Sequence, residues 1–203
     1  MTDKNQGGKK IVISVFLFNI LLRGVSMNIL ILTGSPRKGS NTDILAKAFA
    51  DGASLKHNVE IISVCDCKVN PCIGCNSCFK REGNECFQND GMAEIYAKMA
   101  NADMLVIASP VYFYGISAQL KNIIDRCHTP MRKNFKIKST ALLLVAGSSN
   151  PCVFDAIVRQ YELIVDYFHF EDKGKILVGS VNEKGAIADR EELQLAYKLG
   201  NDI

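Results

Sequence analysis

The sequence predicts an α/β protein, an open and mostly parallel sheet wound with helices on both faces. Strand-like and helix-like segments alternate five times between residue 28 and the C-terminus, which is the signature of that class. Residues 103–108 (DMLVIA) and 139–146 (STALLLVA) are nearly continuous apolar runs, as expected of strands covered on both faces. Turns rich in Gly, Ser, Pro and Asn follow three of the strands, where open α/β sheets hold their ligands.

The first 26 residues read as an extension of the working domain, which spans residues 27–203. Residues 1–10 are polar and basic, residues 11–22 form a twelve-residue apolar run, and Gly24-Val25-Ser26 offers a small-x-small site. That pattern resembles a weak signal peptide. The run is too short to span a bilayer, which takes roughly 20 residues. The alternative is an over-long start with Met27 as initiator, and the thiol-rich body favours it, because free cysteines suit a reducing cytoplasm.

From there each element has a local cause. Residues 28–32 (NILIL) are branched and apolar, and Ser40-Asn41-Thr42 supplies cap chemistry for a helix with Leu45, Ala48 and Phe49 on one face. Residues 57–64 (HNVEIISV) alternate as a second strand, followed by a cysteine-rich insertion. Asp90 caps a helix whose Met92, Ile95, Tyr96 and Met99 fall at i, i+3, i+4 and i+7. After the strand at 103–108, Ser117 opens a helix with Leu120, Ile123, Ile124 and Cys127 on one face. The strand at 139–146 leads through a turn at 147–151 into a helix ending near Asp166. A strand near 175–181 and a helix from Asp189 complete the chain.

The junction after the first strand is built for an anion. Orphan N–H groups of the helix start, the hydroxyls of Ser35, Ser40 and Thr42, the Asn41 cap and the Arg37 guanidinium converge there. Gly34 and Gly39 have the Walker A glycine spacing, but Ser40-Asn41 stands where Lys-Ser/Thr is required, which excludes a triphosphate hydrolase. The dinucleotide pattern G-x-G-x-x-G is absent as well, so a monophosphate remains. The bland alternative is an ordinary turn that binds nothing.

At the next strand end, Pro110-Val111-Tyr112-Phe113-Tyr114-Gly115 sets three consecutive aromatics in a loop suited to a flat ring. The competing reading places those aromatics in the core. A third strand-end turn contains Gly147 and Ser148.

Composition limits the function classes. The chain is 48% hydrophobic and 22% charged, an ordinary globular balance that its 203 residues can fold as one domain. Residues 1–26 hold four of the 24 basic residues and one of the 21 acidic ones, which leaves 20 of each sign in the body. A neutral body argues against nucleic-acid binding, which needs many Lys or Arg contacts to phosphate. No membrane association is expected either.

The insertion carries Cys72-x2-Cys75-x2-Cys78-x7-Cys86 in a loop with Pro71, Gly74 and Gly83. Four thiolates so spaced can surround an iron–sulfur cluster, [4Fe-4S] being the candidate. Zinc and an empty loop of reduced thiols are the alternatives. Cys65 and Cys67 could replace a missing ligand, whereas Cys127 and Cys152 read as small core residues. His57, His128 and His169 show no metal-pair spacing and read as structural or solvated.

Two groups of residues together resemble the NAD(P)H-dependent FMN reductases of the flavodoxin-like fold. They are Gly34-Ser35-Pro36-Arg37 with Ser40-Asn41-Thr42, and Ser109 to Phe113 with Gln119-Leu120-Lys121 and Asp125-Arg126. The cysteine motif is similar to that of the iron–sulfur flavoproteins, a branch of the same family. The resemblance implies a five-stranded sheet of order 2-1-3-4-5 with the cysteine-rich insertion after strand 2. It implies FMN with its phosphate at Ser35, Arg37, Ser40, Asn41 and Thr42. The isoalloxazine would lie against Pro110, Val111, Tyr112, Phe113, Tyr114 and Gly115, touched by Gly147 and Ser148. It also implies NAD(P)H or a protein as electron donor, an acceptor that is a small molecule or a protein, and a homodimer or homotetramer. Since the flavin would carry the redox chemistry, no catalytic side chain is named. The alternatives are a flavodoxin-like electron carrier and a flavin-less sensor or scaffold.

Overall fold

The computed structural model describes residues 25–203, so the readings of the apolar run and signal-like segment lie outside the described residues. Five parallel strands form one sheet of order β2-β1-β3-β4-β5: β1 Asn28–Thr33, β2 Asn58–Ser63, β3 Met104–Pro110, β4 Ser139–Val145 and β5 Glu171–Val178. The helices are α1 Asn41–Ala53, α2 Met92–Asn101, α3 Ala118–Arg126, α4 Asp155–Phe168 and α5 Glu191–Asn201. The predicted α/β class, strand order and insertion after β2 are all present. No described helix is long and apolar enough to cross a membrane.

Side-chain alternation along the central strands divides the core into two layers. Leu30, Leu32, Leu105, Ile107, Leu142 and Leu144 face α2, α3 and α4, whose Ile95, Met99, Leu120, Ile123 and Ile157 cover them. Ile29, Ile31, Met104, Val106, Ala141 and Leu143 face the other way, toward Leu45 and Phe49 of α1 and Ala196 of α5. β1, β3 and β4 are therefore buried on both faces, which is why they read as unbroken apolar runs.

Helices α1 and α5 cross at unusually close range. A Cβ on Gly52 would stand 2.0 Å from the Tyr197 carbonyl oxygen, and one on Gly200 2.1 Å from that of Phe49. Only hydrogen fits at either position.

Two expectations need correction. The last strand starts at Glu171, not near Lys175. Its charged opening carries no strand signal, but at the sheet edge it pairs with Ser139 and Thr140, and an irregularity between Thr140 and Leu142 adjusts the register. Cys152 is exposed and not a core residue, because the short turn Pro151–Phe154 buries Phe154 instead. Cys127 is buried as expected.

The cysteine-rich insertion is tied at its neck. Gly91 N–H donates to the Lys68 carbonyl at 3.1 Å, Asn70 N–H to Asp90 Oδ2 at 2.8 Å, and Asn122 Nδ2 of α3 to the Val69 carbonyl at 3.0 Å. Arg126 of α3 closes the neck, with Nη1 2.6 Å from Asp90 Oδ2 and 3.3 Å from the Asn70 carbonyl. The two charged side chains are only 3% and 6% exposed, so neither can be rehydrated if the other is lost. Asp90 Oδ1 also accepts the Met92 N–H, the first of α2. Burial alone would raise the Asp90 pKa, but the Arg126 hydrogen bond and the Asn70 and Met92 N–H groups outweigh it and hold the carboxyl below its usual range.

Gly200→Ala is expected to destabilise the protein by about 1–3 kcal/mol through overpacking, read as a lower urea midpoint with unchanged slope. Asp90→Asn should cost about 3–5 kcal/mol at neutral pH, since it strands a buried guanidinium. The folded pKa lies below the unfolded value of about 3.9. The wild-type pair therefore contributes fully above that pH and loses its contribution as pH falls through the folded pKa. Denaturation series across that range should show a shallower acid decline in Asp90→Asn.

Candidate functional site

The strand order reverses direction between β1 and β3, and the loops leaving β1, β3 and β4 gather at that end of the sheet. Gly34 N–H donates to the Ala108 carbonyl of β3 at 2.8 Å, and a Cβ on Gly34 would stand 2.5 Å from Ser117 Oγ. The first loop can thus lie directly against the start of α3.

Ser35 Oγ accepts the Arg37 N–H at 3.2 Å, shaping the turn, while residues 36–39 project outward. Ser40 is the N-cap of α1 and forms a capping box: Asp43 N–H donates to Ser40 Oγ at 3.2 Å and Ser40 N–H to Asp43 Oδ2 at 3.0 Å. Among the described residues, no hydrogen bond engages the backbone N–H of Ser35, Asn41 or Thr42. Those free donors, at the positive end of the α1 dipole, make a candidate anion cradle.

Asn41 has a second duty. Its Nδ2 donates to the carbonyls of Val181 (3.2 Å) and Glu183 (2.8 Å), and its Oδ1 accepts the Gly185 N–H at 2.8 Å. Only its backbone N–H is left for a ligand. The segment it pins brings Lys184 beside the loop, with Nζ 3.5 Å from where a Gly39 Cβ would be. Lys184 therefore joins the exposed Arg37 and Lys38 as basic groups around the cradle. No sequence signal marks Lys184, because it reaches the loop from more than 140 residues away.

The second loop is rigidly pinned at its base. Val111 N–H donates to the Val145 carbonyl at 2.8 Å, and Ser109 Oγ accepts the Ser117 N–H at 3.1 Å. Tyr112 and Gly115 exchange backbone hydrogen bonds of 2.9 and 3.0 Å across a tight turn, which drives Phe113 and Tyr114 to φ of 45° and 65°. Two adjacent aromatics in the left-handed region cost about 1–3 kcal/mol each, and such strain persists where the surroundings enforce it. The rings stand outward, Phe113 97% exposed and Tyr114 58%, so the core reading of these aromatics is set aside. The third loop, Gly147 to Asn150, is exposed and turned by the Asn150 N–H on Ser148 Oγ at 3.1 Å.

In the insertion, Cys72 and Cys75 are exposed, Cys78 and Cys86 half-buried, and all four are free thiols. Cys75 Sγ lies 2.8 Å from Ser77 Oγ, a hydrogen bond that lowers its pKa. Cys65 and Cys67, at the root, pack on the core, where burial first and nearby carboxylates second push both thiols up. Among the described residues no three Cys, His, Asp or Glu side chains are gathered closely enough to hold a metal. The donor set nonetheless fits an iron–sulfur centre chemically: four free thiols lie on one loop. His128 packs between the rings of Phe79 and Tyr167, and His169 ends α4 in the left-handed conformation.

Apart from these loops, an apolar groove of about 660 Å³ runs between α3 and α4, lined by Ile124, Cys127, Ile157, Leu163 and Tyr167 among others.

The family model of the NADPH-dependent FMN reductases matches residues 27–186. An iron–sulfur flavoprotein of Methanosarcina thermophila is 35% identical over 79% of this chain and 82% of its own length. Another, from Methanocaldococcus jannaschii, is 41% identical over 56% of this chain, which spans 58% of that relative. Among solved structures, an NAD(P)H:quinone oxidoreductase from Methanothermobacter marburgensis superposes with a TM-score of 0.69 at 18% identity, covering 88% of this chain and 97% of that one. An FMN-dependent NADH-azoreductase from Bacillus anthracis, solved in complex with FMN, gives 0.60 at 18% identity over 86% and 96%. These two share the fold. The match of the family model and the flavoprotein identities show that the chain belongs to the NADPH-dependent FMN reductase family, in its iron–sulfur flavoprotein branch.

Proposed function

We propose that this chain is an FMN-dependent oxidoreductase that takes electrons from NAD(P)H or a protein donor and passes them to a small-molecule or protein acceptor. A [4Fe-4S] cluster on Cys72, Cys75, Cys78 and Cys86 would serve as its second redox group. The observation that carries this reading is the convergence of free backbone N–H groups at the start of α1 with an exposed aromatic loop at neighbouring strand ends.

FMN, when bound, supplies the hydride and single-electron chemistry. The free N–H groups of Ser35, Asn41 and Thr42 and the hydroxyls of Ser35, Ser40 and Thr42 would hold its phosphate. Arg37 would add charge-assisted bonds, and Lys184 would join it in neutralising the phosphate. The strained turn at Phe113 and Tyr114 would keep an apolar wall ready for the isoalloxazine, with Pro110, Val111, Tyr112 and Gly115 beside it and Gly147 and Ser148 touching the ring. No side chain is assigned a proton-transfer role.

Cytoplasmic residence is supported by the eight cysteines, all free. Association into a homodimer or homotetramer is supported by the apolar groove between α3 and α4, where Leu163 and Tyr167 remain about half exposed.

Anaerobic purification followed by an absorbance spectrum with iron and sulfide assay should show flavin bands and about four iron and four sulfide per chain. Flavin without iron removes the cluster, and no flavin removes the whole reading. Arg37→Ala should weaken FMN binding by about 1–3 kcal/mol in a fluorescence titration, with the fold unchanged by circular dichroism.

A further inference from the structure

Arg126 poses a problem that the neck alone does not solve. Its side chain is 3% exposed, yet Nε and Nη2 are buried without any hydrogen-bond partner among the described residues. Among the described residues its hydrogen bonds are made by Nη1, to Asp90 and the Asn70 carbonyl, and the Tyr96 phenol also faces the guanidinium. A buried donor without an acceptor costs about 1–3 kcal/mol, more when charged, and folded proteins keep few of them. The position of this guanidinium suggests what the acceptor is. It sits between the two arms of the neck, Cys72 lying two residues beyond Asn70 and Cys86 four residues before Asp90. Cys86 is near enough to contribute to the electrostatics of both Arg126 and Tyr96, whose hydroxyl donates to the Arg126 carbonyl at 2.7 Å.

We propose that Arg126 donates its two free N–H groups to the sulfurs of an anionic iron–sulfur centre held by the Cys72 to Cys86 loop, and that it positions and charge-compensates that centre. This rests on the cluster reading above. Four thiolates make such a centre anionic, and hydrogen bonds to its sulfurs favour the reduced, more negative state. α3 carries Arg126 at one end and follows the aromatic loop at the other, so a single helix joins the two proposed redox sites.

The test uses full-length protein purified anaerobically. In wild type grown on arginine with an isotopically labelled guanidinium nitrogen, pulsed electron paramagnetic resonance of the reduced cluster should detect coupling to that nitrogen. In Arg126→Gln the cluster midpoint potential should shift negative, and iron and sulfide per chain should fall while FMN content is retained. Arg126→Lys, which keeps the charge and a donor, should show a smaller shift. Wild type without iron and sulfide overturns the cluster reading and this inference with it. A wild-type cluster with no arginine coupling overturns this inference alone, whether or not the variants fold. So does an unchanged potential in both variants.

Discussion

Parallel pairing of β1 with β3 is the constraint on which the rest of the molecule depends. Ile29 to Thr33 lie beside Met104 to Ala108, with β2 beyond on one side and β4 on the other, so the chain turns opposite ways on leaving the two central strands. That reversal opens a crevice at the strand ends. The Gly34 N–H bond to Ala108 extends the pairing one step past β1 and seats the first loop against Ser117. The anion cradle and the aromatic turn are neighbours because their strands are neighbours.

The same layering governs how the insertion is anchored. α3 covers the sheet through Leu120 and Ile123, and the flank beside them meets the neck through Asn122 and Arg126. The cysteine loop is thus attached to a helix that packs in the core, although its own residues bury little. Two of the buried polar commitments join distant segments. Asp90 to Arg126 joins the insertion to α3, and Asn41 joins α1 to the segment before α5. Each replaces water by directed bonds that only one arrangement satisfies.

Much of the fold was legible because its causes are local. β1, β3 and β4 announce themselves by apolar runs, and α2 by Met92, Ile95, Tyr96 and Met99 on one face. The Ser40 cap of α1 and the Ser117 cap of α3 were readable from residue type, and both are present with side-chain bonds. β5 was misplaced at its start because an edge strand needs no apolar signal to pair. Cys152 was misread because the turn that buries its neighbour Phe154 leaves the thiol facing solvent. In the candidate site, the loop after β1 and the aromatic loop could be singled out, but not the double duty of Asn41, the arrival of Lys184, or the strain at Phe113 and Tyr114.

By itself the sequence determined the alternating α/β pattern, the turn chemistry at three strand ends and the presence of four closely spaced thiols. All of these follow from periodicity, capping and spacing within a few residues. The strand order was reached through family resemblance, and the rest required the tertiary structure. Which N–H groups stay free, which basic side chain overhangs the cradle and which guanidinium is buried with donors to spare depend on segments dozens to more than a hundred residues apart. Their meeting is set by the packing of α1 on α5 and of α3 on the sheet, and local patterns carry no trace of it.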